Sequence, residues 1–329
     1  MLPLGFCVGV SIADSETPLR LQLPLQCTVG EDCHIQNYFD HDPGSGFSDF
    51  TCGTLGYDGH KGTDFRLPSL SEMKRGVSVV AAADGRVRSI RDSMEDISVN
   101  QPGVRARIEG HEAGNGVAIV HAGGWETQYS HMRRGSILVK PGQQVKAGDR
   151  LGLVGLSGKT EFPHLHLSVR HNGRPVDPFV GLRRDIECGP GDRPLWSKQV
   201  FKTLRYRPTG LLQSGFTSNK PEIRLVEAGA YRQSHFPTSV PSLIFWVEVF
   251  GIQQGDREWL AILKPDGSPL VEKRGRAKKS KARWFSYAGK KRRSEPWAKG
   301  TYIGIYRLRR ERQGRLQEIL NHSVELEVH

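Results

Sequence analysis

Residues 163–169 read PHLHLSV, a stretch in which polar and apolar side chains alternate. Alternation with a period of two predicts a β-strand with two different faces. His164, His166 and Ser168 would share one face, and the apolar residues between them would share the other. Two neighbouring imidazoles pack poorly into an apolar core, so the pattern favours a strand whose polar face lines a cleft. By itself, an HxH pattern is only a weak indication of a metal site.

Short strands and tight turns surround this stretch. VSVVAAADGRVRSI (77–90) predicts two strands around an Asp-Gly turn, and GVAIVHA (116–122) with WETQYSHM (125–132) predicts a hairpin across a Gly-Gly turn. SILVKPGQQVKAGDRLGLVGLSG (136–158) alternates short apolar pairs with Pro-Gly and other glycine-containing turns. No amphipathic helix of ordinary length is predicted here, so we expect an all-β domain.

A second candidate stretch, GHKGTDF (59–65), places His60 and Asp64 four residues apart. Its glycines and a nearby proline argue against a helix, so these side chains meet only where the chain turns. Two His and one Asp, with one position open for water, is the ligand count of a catalytic zinc site. Mixed nitrogen and oxygen ligands also suit iron, manganese or cobalt. YSH at 129–131 adds His131, which taken alone is better interpreted as a surface or core histidine.

The motifs follow one another in a specific order along the chain. H-x-x-x-D is followed by the glycine-rich strand GNGVAIVHAGG, then by Y-S-H, VKPGQQVKAGD and H-L-H-L. In this order and spacing they resemble the lysostaphin-type zinc metallopeptidases, metallopeptidase family 23, over residues 50–180. The resemblance implies a β-rich duplicated hybrid motif. It also implies an enzyme that cleaves the peptide crosslinks or stems of bacterial cell-wall peptidoglycan.

The resemblance assigns a role to each candidate residue. Three residues match the zinc ligands of the family: His60, Asp64 and His166. Two more match its catalytic histidines: His131 and His164. A zinc ion held by the first set would activate a water molecule and stabilise the oxyanion. No HExxH glutamate is present, so the two catalytic histidines are expected to handle the proton and assist at the oxyanion.

Three departures from the family leave the metal site intact but put substrate specificity, and so the scissile bond, in doubt. KTEFP (159–163) replaces the small-residue approach to HLH that is usual in the family, and residues 91–113 resemble an insertion in a surface loop. Residues 27–56 precede the minimal domain and could cover the groove.

Two other functional classes compete with a peptidase. One alternative is a non-catalytic peptidoglycan-binding or regulatory protein, since some relatives of this fold have lost their ligands. The other is a basic nucleic-acid-binding protein, because the net charge of +12 favours polyanions.

A second domain is predicted beyond a boundary near GPGDRPLW (189–196). Five segments have the pattern and spacing of sandwich strands: EIRLVEAG (222–229), SLIFWVEVFG (242–251), REWLAILKPDG (257–267), GTYIGIYRLRR (300–310) and HSVELEV (322–328). We therefore predict a metallopeptidase domain over 14–190, followed by a smaller immunoglobulin-like β-sandwich over 195–329.

One segment of the predicted sandwich is strongly basic. Residues 273–293 contain many Lys and Arg residues and no acid, and they are predicted to form a solvated basic loop. As a functional alternative, this loop would bind an anionic envelope polymer. The aromatic residues within and after it suit either stacking on such a polymer or packing into the sandwich: Trp284, Phe285, Tyr287 and Trp297.

Two features predict an exported protein, periplasmic or extracellular. Residues 1–13 are uncharged and mostly apolar, as in a signal peptide that lacks its basic start, although a first buried strand fits too. No later run approaches the length of a membrane helix. Beyond Cys7, four cysteines remain, an even number that suits a disulfide framework with three open pairings: Cys27, Cys33, Cys52 and Cys188.

Overall fold

The computed structural model of the 329-residue chain describes residues 19–183 and 188–329. Most of the ordered elements are β-strands, as predicted. The predicted signal peptide over 1–13 lies outside the described residues. Among the described helices, none combines the length and the apolar character needed to cross a bilayer.

The first half of the described chain contains ten strands and two short helices. The strands are β1 (His34–Asn37), β2 (Thr63–Arg66), β3 (Ser78–Val80), β4 (Gly85–Arg91), β5 (Asn115–Val120), β6 (Trp125–Met132), β7 (Gln144–Val145), β8 (Arg150–Leu153), β9 (His164–His171) and β10 (Arg174–Val176). The helices are α1 (Leu70–Arg75) and α2 (Val104–Arg107). A central antiparallel sheet has the order β1-β2-β9-β6-β5-β4-β7, with β10 beside β9, while β3 pairs with β8.

The central sheet has one apolar face and one polar face. Leu165 and Leu167 of β9 are fully buried and pack with Phe65 of β2 and Tyr129 of β6 in one apolar core. Because side chains alternate along a strand, the histidines of β9 point to the opposite face. We call this opposite side, which carries Asp64 of β2 and the β9 histidines, the polar face. It is the face that the alternation in PHLHLSV predicts.

The N-terminal extension adds an edge strand to the central sheet. β1 pairs with β2 in antiparallel register, which places Asn37 opposite Asp64. Cysteine pairing fixes the extension at two points: Cys27 bonds Cys33, six residues away, and Cys52 bonds Cys188, 136 residues away. The predicted disulfide framework is therefore confirmed, and of the three open pairings this one is formed.

The second half of the described chain forms two sheets that share a core. Its strands are β11 (Gly210–Thr217), β12 (His235–Phe236), β13 (Ser242–Ile252), β14 (Arg257–Leu263), β15 (Pro269–Arg276), β16 (Lys281–Lys291), β17 (Gly300–Arg312) and β18 (Arg315–Val328). The helices are α3 (Lys198–Thr203) and α4 (Ile223–Ala228). The orders are β11-β13-β16 and β12-β18-β17-β14-β15, and side chains from both sheets meet in one apolar core. The immunoglobulin type of this sandwich stays a prediction.

The prediction of a strand at 222–229 is wrong, because these residues form α4. In IRLVEA (223–228) the first, third and fourth residues are large and apolar. This spacing fits a helical turn as well as a short strand. Only Val226 of the helix is buried, and no described strand pairs with this segment. Gly229 adopts a φ of +71° and ends the helix, a backbone conformation that favours glycine.

The prediction of a basic loop over 273–293 is also wrong, because most of it belongs to β15 and β16. β15 pairs with β14 in the five-stranded sheet, whereas β16 pairs with β13 in the other sheet. The aromatic residues within the run pack rather than stand free: Trp284 Nε1 donates to Glu258 at 2.9 Å, and Phe285 lies against Trp246. Dense Lys and Arg hid the strand pattern, since long basic side chains remain solvated at the surface of a sheet.

Candidate metal centre

Strand register brings the three predicted metal ligands together. β2 and β9 are antiparallel neighbours in which Asp64 lies opposite His166. His60 precedes β2 and turns back, so that His60 Nε2 lies 3.1 Å from Asp64 Oδ1 and 3.1 Å from His166 Nδ1. His166 Nδ1 lies 2.8 Å from the same carboxylate oxygen. Two imidazole nitrogens and one carboxylate oxygen therefore converge on one point, and together they form a group able to hold a metal ion.

Glycine at position 62 makes this convergence sterically possible. A Cβ atom at Gly62 would lie 2.5 Å from His166 Nε2 and 2.7 Å from the carbonyl oxygen of Leu167. Both distances are shorter than non-bonded atoms tolerate. The GHKG segment can therefore pass directly against β9 only because this residue has no side chain.

Atoms on the far side of each ligand hold it in place. The ring nitrogen His60 Nδ1 donates to the carbonyl oxygen of Tyr38 at 2.6 Å, which leaves His60 Nε2 with its lone pair facing Asp64. Asn37 Nδ2 donates to Asp64 Oδ2 at 2.8 Å. Ser168 Oγ lies 2.9 Å from His166 Nε2 and can accept a hydrogen bond from it. Such outer contacts fix the tautomer and orientation of metal ligands.

The two predicted catalytic histidines lie beside the ligand group. The His164 ring packs on the His131 ring with centroids 4.6 Å apart, and His164 Nε2 lies 3.6 Å from Asp64 Oδ1. The outer nitrogen His164 Nδ1 donates to the carbonyl of Phe162 at 2.9 Å, and His131 Nδ1 donates to the carbonyl of Ser157 at 2.8 Å. In both neutral rings Nε2 is therefore left unprotonated, as a proton acceptor requires.

A local bulge aims His131 at the site. The register between β5 and β6 shifts so that β6 carries one extra residue near Ser130 and His131. His131 has a φ of +61°, a left-handed conformation that is uncommon outside glycine. Both backbone polar groups of His131 are nevertheless paired, with Ala113 and Gly155. Bulges of this kind redirect one side chain, and backbone outliers often lie at functional sites.

Burial and mutual charge control the ionisation of this cluster. Burial, together with repulsion from His164 and His166, lowers the pKa of His131 well below its usual range. Burial also lowers the pKa of His164. Burial opposes the ionised form of Asp64, but attraction to His60 and His164 still holds its pKa well below the usual value. Burial opposes the charged form of His60, but attraction to Asp64 raises its pKa above the usual value. His131 and His164 thus favour the neutral form and Asp64 the ionised form, and metal binding would in addition require that His60 release its proton.

One side of the cluster is open, whereas the sandwich covers the other. A cleft of about 250 Å³ reaches His131 and His166 and is lined by charged side chains that include Lys159 and Arg170. On the covered side, Arg66 of β2 pairs with Glu248 of β13 at 3.6 Å, and both are nearly inaccessible to solvent. The Arg66 guanidinium also lies 4.4 Å from the ring centroid of Phe162, which packs on the His164 ring at 4.9 Å.

Sequence reasoning missed the groups that support the site. Asn37 and the Tyr38 carbonyl belong to the extension, whose place in the fold was not predicted, and a backbone carbonyl leaves no trace in residue identity. Glu248 lies in a strand of the second domain and gave no signal either. Ser168 was available from the sequence, because it follows the HLH pattern on the same strand face.

Known proteins are similar to this chain over the segment that contains the candidate site. The family model described as "Peptidase family M23" matches residues 58–178. The peptidoglycan DD-endopeptidase ShyA of Vibrio cholerae is 37% identical over 118 residues, which are 36% of this chain and 22% of that protein. The DD-carboxypeptidase/endopeptidase Mpg of Neisseria meningitidis is 34% identical over 143 residues, which are 44% of this chain and 27% of that protein. The chain thus spans about a quarter of the length of these curated relatives.

Among solved structures, a zinc-containing peptidase from Vibrio cholerae shares 31% identity with this chain. The match covers 44% of this chain and 39% of that one, with a TM-score of 0.28. The matched segment of the family, residues 58–178, contains β2 through β10 and all five candidate residues. The described chain therefore contains a domain of peptidase family M23, preceded by an extension that completes its sheet and followed by a β-sandwich.

Proposed function

We propose that this protein is a zinc-dependent endopeptidase that hydrolyses peptide bonds in bacterial cell-wall peptidoglycan, at a crosslink or in a stem peptide. One observation carries the proposal: imidazole nitrogens of His60 and His166 and a buried oxygen of Asp64 converge on one point. Two nitrogens and one carboxylate oxygen, with a fourth position left for water, are the ligand count of a catalytic zinc site. The match to family M23 and the named activities of ShyA and Mpg support the same conclusion.

His60, Asp64 and His166 would hold the zinc ion. Their donor set of two nitrogens and one oxygen fits zinc, and the structure offers each ligand a fixing contact on its far side. When bound, zinc supplies a Lewis acid that lowers the pKa of water and polarises a carbonyl group.

The remaining steps fall to His131 and His164. Either Nε2 can accept the proton that leaves the attacking water, because both rings hold their own proton on Nδ1. The same nitrogen can then give that proton to the amine as the peptide C–N bond breaks. The ring that has taken up this proton is an imidazolium whose Nε2–H would donate to the oxyanion before the proton passes to the amine, and the other ring packs beside it at a centroid distance of 4.6 Å. Burial lowers the pKa of both imidazoles and so favours the neutral form that accepts a proton.

The test separates metal binding from rate. His60→Ala and His166→Ala should lose both zinc and hydrolysis, whereas His164→Ala should keep zinc and lose rate. His111→Ala is the matched control, since His111 is exposed and lies outside the cluster. Zinc content is measured by elemental analysis, and products by mass spectrometry of muropeptides after digestion of purified sacculi. Full hydrolysis by a metal-free His60→Ala protein would overturn the proposal.

Export of the protein is part of the proposal. Two disulfides support it, because such bonds persist in oxidising compartments, where peptidoglycan also lies. Stoichiometric zinc without any muropeptide product, across sacculi of different crosslink chemistry, would instead favour the non-catalytic wall-binding alternative.

A further inference from the structure

The outer face of the five-stranded sheet carries five arginines around one tryptophan. Strand register places Arg276, Arg257 and Arg309 side by side on β15, β14 and β17. Two residues along, the same strands place Arg274 and Arg307 on either side of Trp259. We call this set the arginine face: Arg257, Trp259, Arg274, Arg276, Arg307 and Arg309. All six residues line one open groove of about 780 Å³.

Nothing within the described chain neutralises most of this charge. Arg274 lies 3.9 Å from Glu272, but the other four guanidiniums have no acidic partner among residues 19–183 and 188–329. Like charges directly opposite one another across strands destabilise a sheet. Three arginines side by side therefore weaken the fold slightly, and an external anion would remove that repulsion.

Two buried atoms in the groove also lack partners. Trp259 Nε1 and Arg307 Nε are shielded from solvent, yet neither has a hydrogen-bond partner within the described residues. Both are donors, as are all the arginine nitrogens around them. Because these two atoms are shielded from solvent, a ligand in the groove would instead meet the exposed guanidiniums, such as those of Arg257, Arg276 and Arg309, whose donors a ligand rich in acceptor oxygens would pair.

The geometry favours an extended anionic chain over a nucleic acid. Neighbouring strands lie about 4.8 Å apart and side chains two residues apart lie about 7 Å apart, so the guanidiniums form a regular grid. The guanidinium carbon of Arg307 lies 5.0 Å from the Trp259 ring centroid, so this ring face is occupied by a cation and offers no stack to a base. Planar guanidiniums pair bidentately with carboxylate and phosphate groups.

We propose that the arginine face is a binding site for an anionic polysaccharide, a sugar chain that carries carboxylate or phosphate groups at intervals matching the guanidinium grid. The inference rests on the sandwich alone and does not depend on the metal centre or on the proposed hydrolysis. Bound there, such a polymer would hold the peptidase domain near an anionic envelope surface.

The experiment measures equilibrium binding of the full, zinc-supplemented chain to labelled carboxymethyl dextran, dextran phosphate, uncharged dextran and a short DNA duplex. Arg257→Gln/Arg276→Gln/Arg309→Gln should bind both anionic dextrans about tenfold or more weakly, and its affinity should depend less steeply on salt concentration because fewer counterions are released. The matched control removes three exposed arginines of the peptidase domain that lack acidic partners within the described chain: Arg86→Gln/Arg105→Gln/Arg150→Gln.

Each outcome decides the question. Loss of binding in the first variant but not in the control supports the site, and the tighter of the two anionic dextrans identifies the charged group. Equal loss in both variants, or equal binding of uncharged dextran, would mean that no specific site exists. Tighter binding of the DNA duplex than of either dextran would replace the polysaccharide with a nucleic acid. A melting temperature of the first variant at or above that of the wild type confirms that folding is intact.

Discussion

Ionisable side chains cluster on two sheet faces of this molecule. They are buried and hydrogen-bonded on one face, and exposed and largely unpaired on the other. On the polar face of the central sheet, His60, Asp64 and His164 are nearly inaccessible, and each has a fixing partner. On the arginine face, side chains such as Arg257 and Arg309 are exposed and unpaired within the described chain. A metal ion is bound by ligand atoms that the protein already holds in the right positions. A long polymer of variable conformation is instead attracted by exposed charges that have no partner within the protein.

The largest expected effect comes from removing the negative charge at the centre of the polar face. Asp64→Asn keeps the size of the side chain but replaces one carboxylate oxygen with a nitrogen that does not ligate. Zinc affinity should fall by more than about 100-fold, the upper range for loss of a mere supporting contact. Competition with a zinc-binding dye measures it, and Asp149→Asn in an exposed turn is the control. Unchanged affinity in Asp64→Asn would mean that this carboxylate is not a ligand.

The next largest effect tests the covered end of the polar face. Glu248→Gln leaves Arg66, which is 4% exposed, without its only acidic partner in the described chain. Burial already lowers the pKa of Arg66 to about 10, which shows how poorly this position tolerates charge. Breaking a buried pair on one side costs about 3–5 kcal/mol of unfolding free energy. Urea denaturation measures it, with Glu272→Gln, which removes an exposed pair, as the control that should barely change. Equal effects of the two substitutions would contradict the distinction between the faces.

Acid should weaken the junction between the two domains through His34. Burial, aided by Arg66 and Arg207, lowers the pKa of His34 to about 4, and its ring packs near Phe250 of the sandwich. Below pH 6.5 the unfolded chain binds a proton that the folded chain excludes, so stability falls as the pH falls from 6.5 towards 4. The loss should reach at most about 3.5 kcal/mol, since one pKa unit corresponds to about 1.4 kcal/mol.

Denaturation of the zinc-loaded protein at several pH values measures this slope, and the difference between wild type and His34→Gln isolates the contribution of His34 from that of other histidines. A pH slope that is the same in both proteins would show that His34 remains protonated on folding.

A smaller effect tests the supporting contacts of the site. Asn37→Ala removes the amide that donates to Asp64 Oδ2 at 2.8 Å but leaves every ligand in place. Zinc affinity should fall by about 10–100-fold, as is usual for such outer partners. Asn100→Ala, at an exposed position, serves as the control. If affinity is unchanged while Asp64→Asn loses zinc, the carboxylate is held by the strand pairing alone.

The smallest effect has the opposite sign. Arg309→Gln relieves repulsion from Arg257 across β14 and β17, so it should stabilise the free protein by about a few tenths of a kcal/mol. Thermal unfolding at low ionic strength measures it, and added salt should remove the difference by screening. A destabilised variant would indicate that Arg309 has a structural role that the other arginines of this face do not share.

The sequence was sufficient where a short repeat dictates geometry. Alternation in PHLHLSV predicts which side chains of β9 face the site, because a strand has a period of two. The Gly-Gly turn predicts the β5–β6 hairpin for a similar local reason. Prediction failed at 222–229, where a short segment fits both the helical and the strand period. It failed again at 273–293, where the many Lys and Arg residues obscured the alternation of a strand. It also could not supply contacts between segments far apart in sequence, since Arg66 and Glu248 are brought together only by packing of the two domains.

The strand His34–Asn37 sets a limit on how far the peptidase unit can be transplanted. It lies outside residues 58–178, yet the backbone next to it orients His60 and its last side chain holds Asp64. A chimera or minimal enzyme cut at the family boundary would carry all five candidate residues and lose the contacts that fix two of them. The portable module therefore begins before residue 34, and extending it to Cys188 would keep the disulfide that Cys52 of the extension forms.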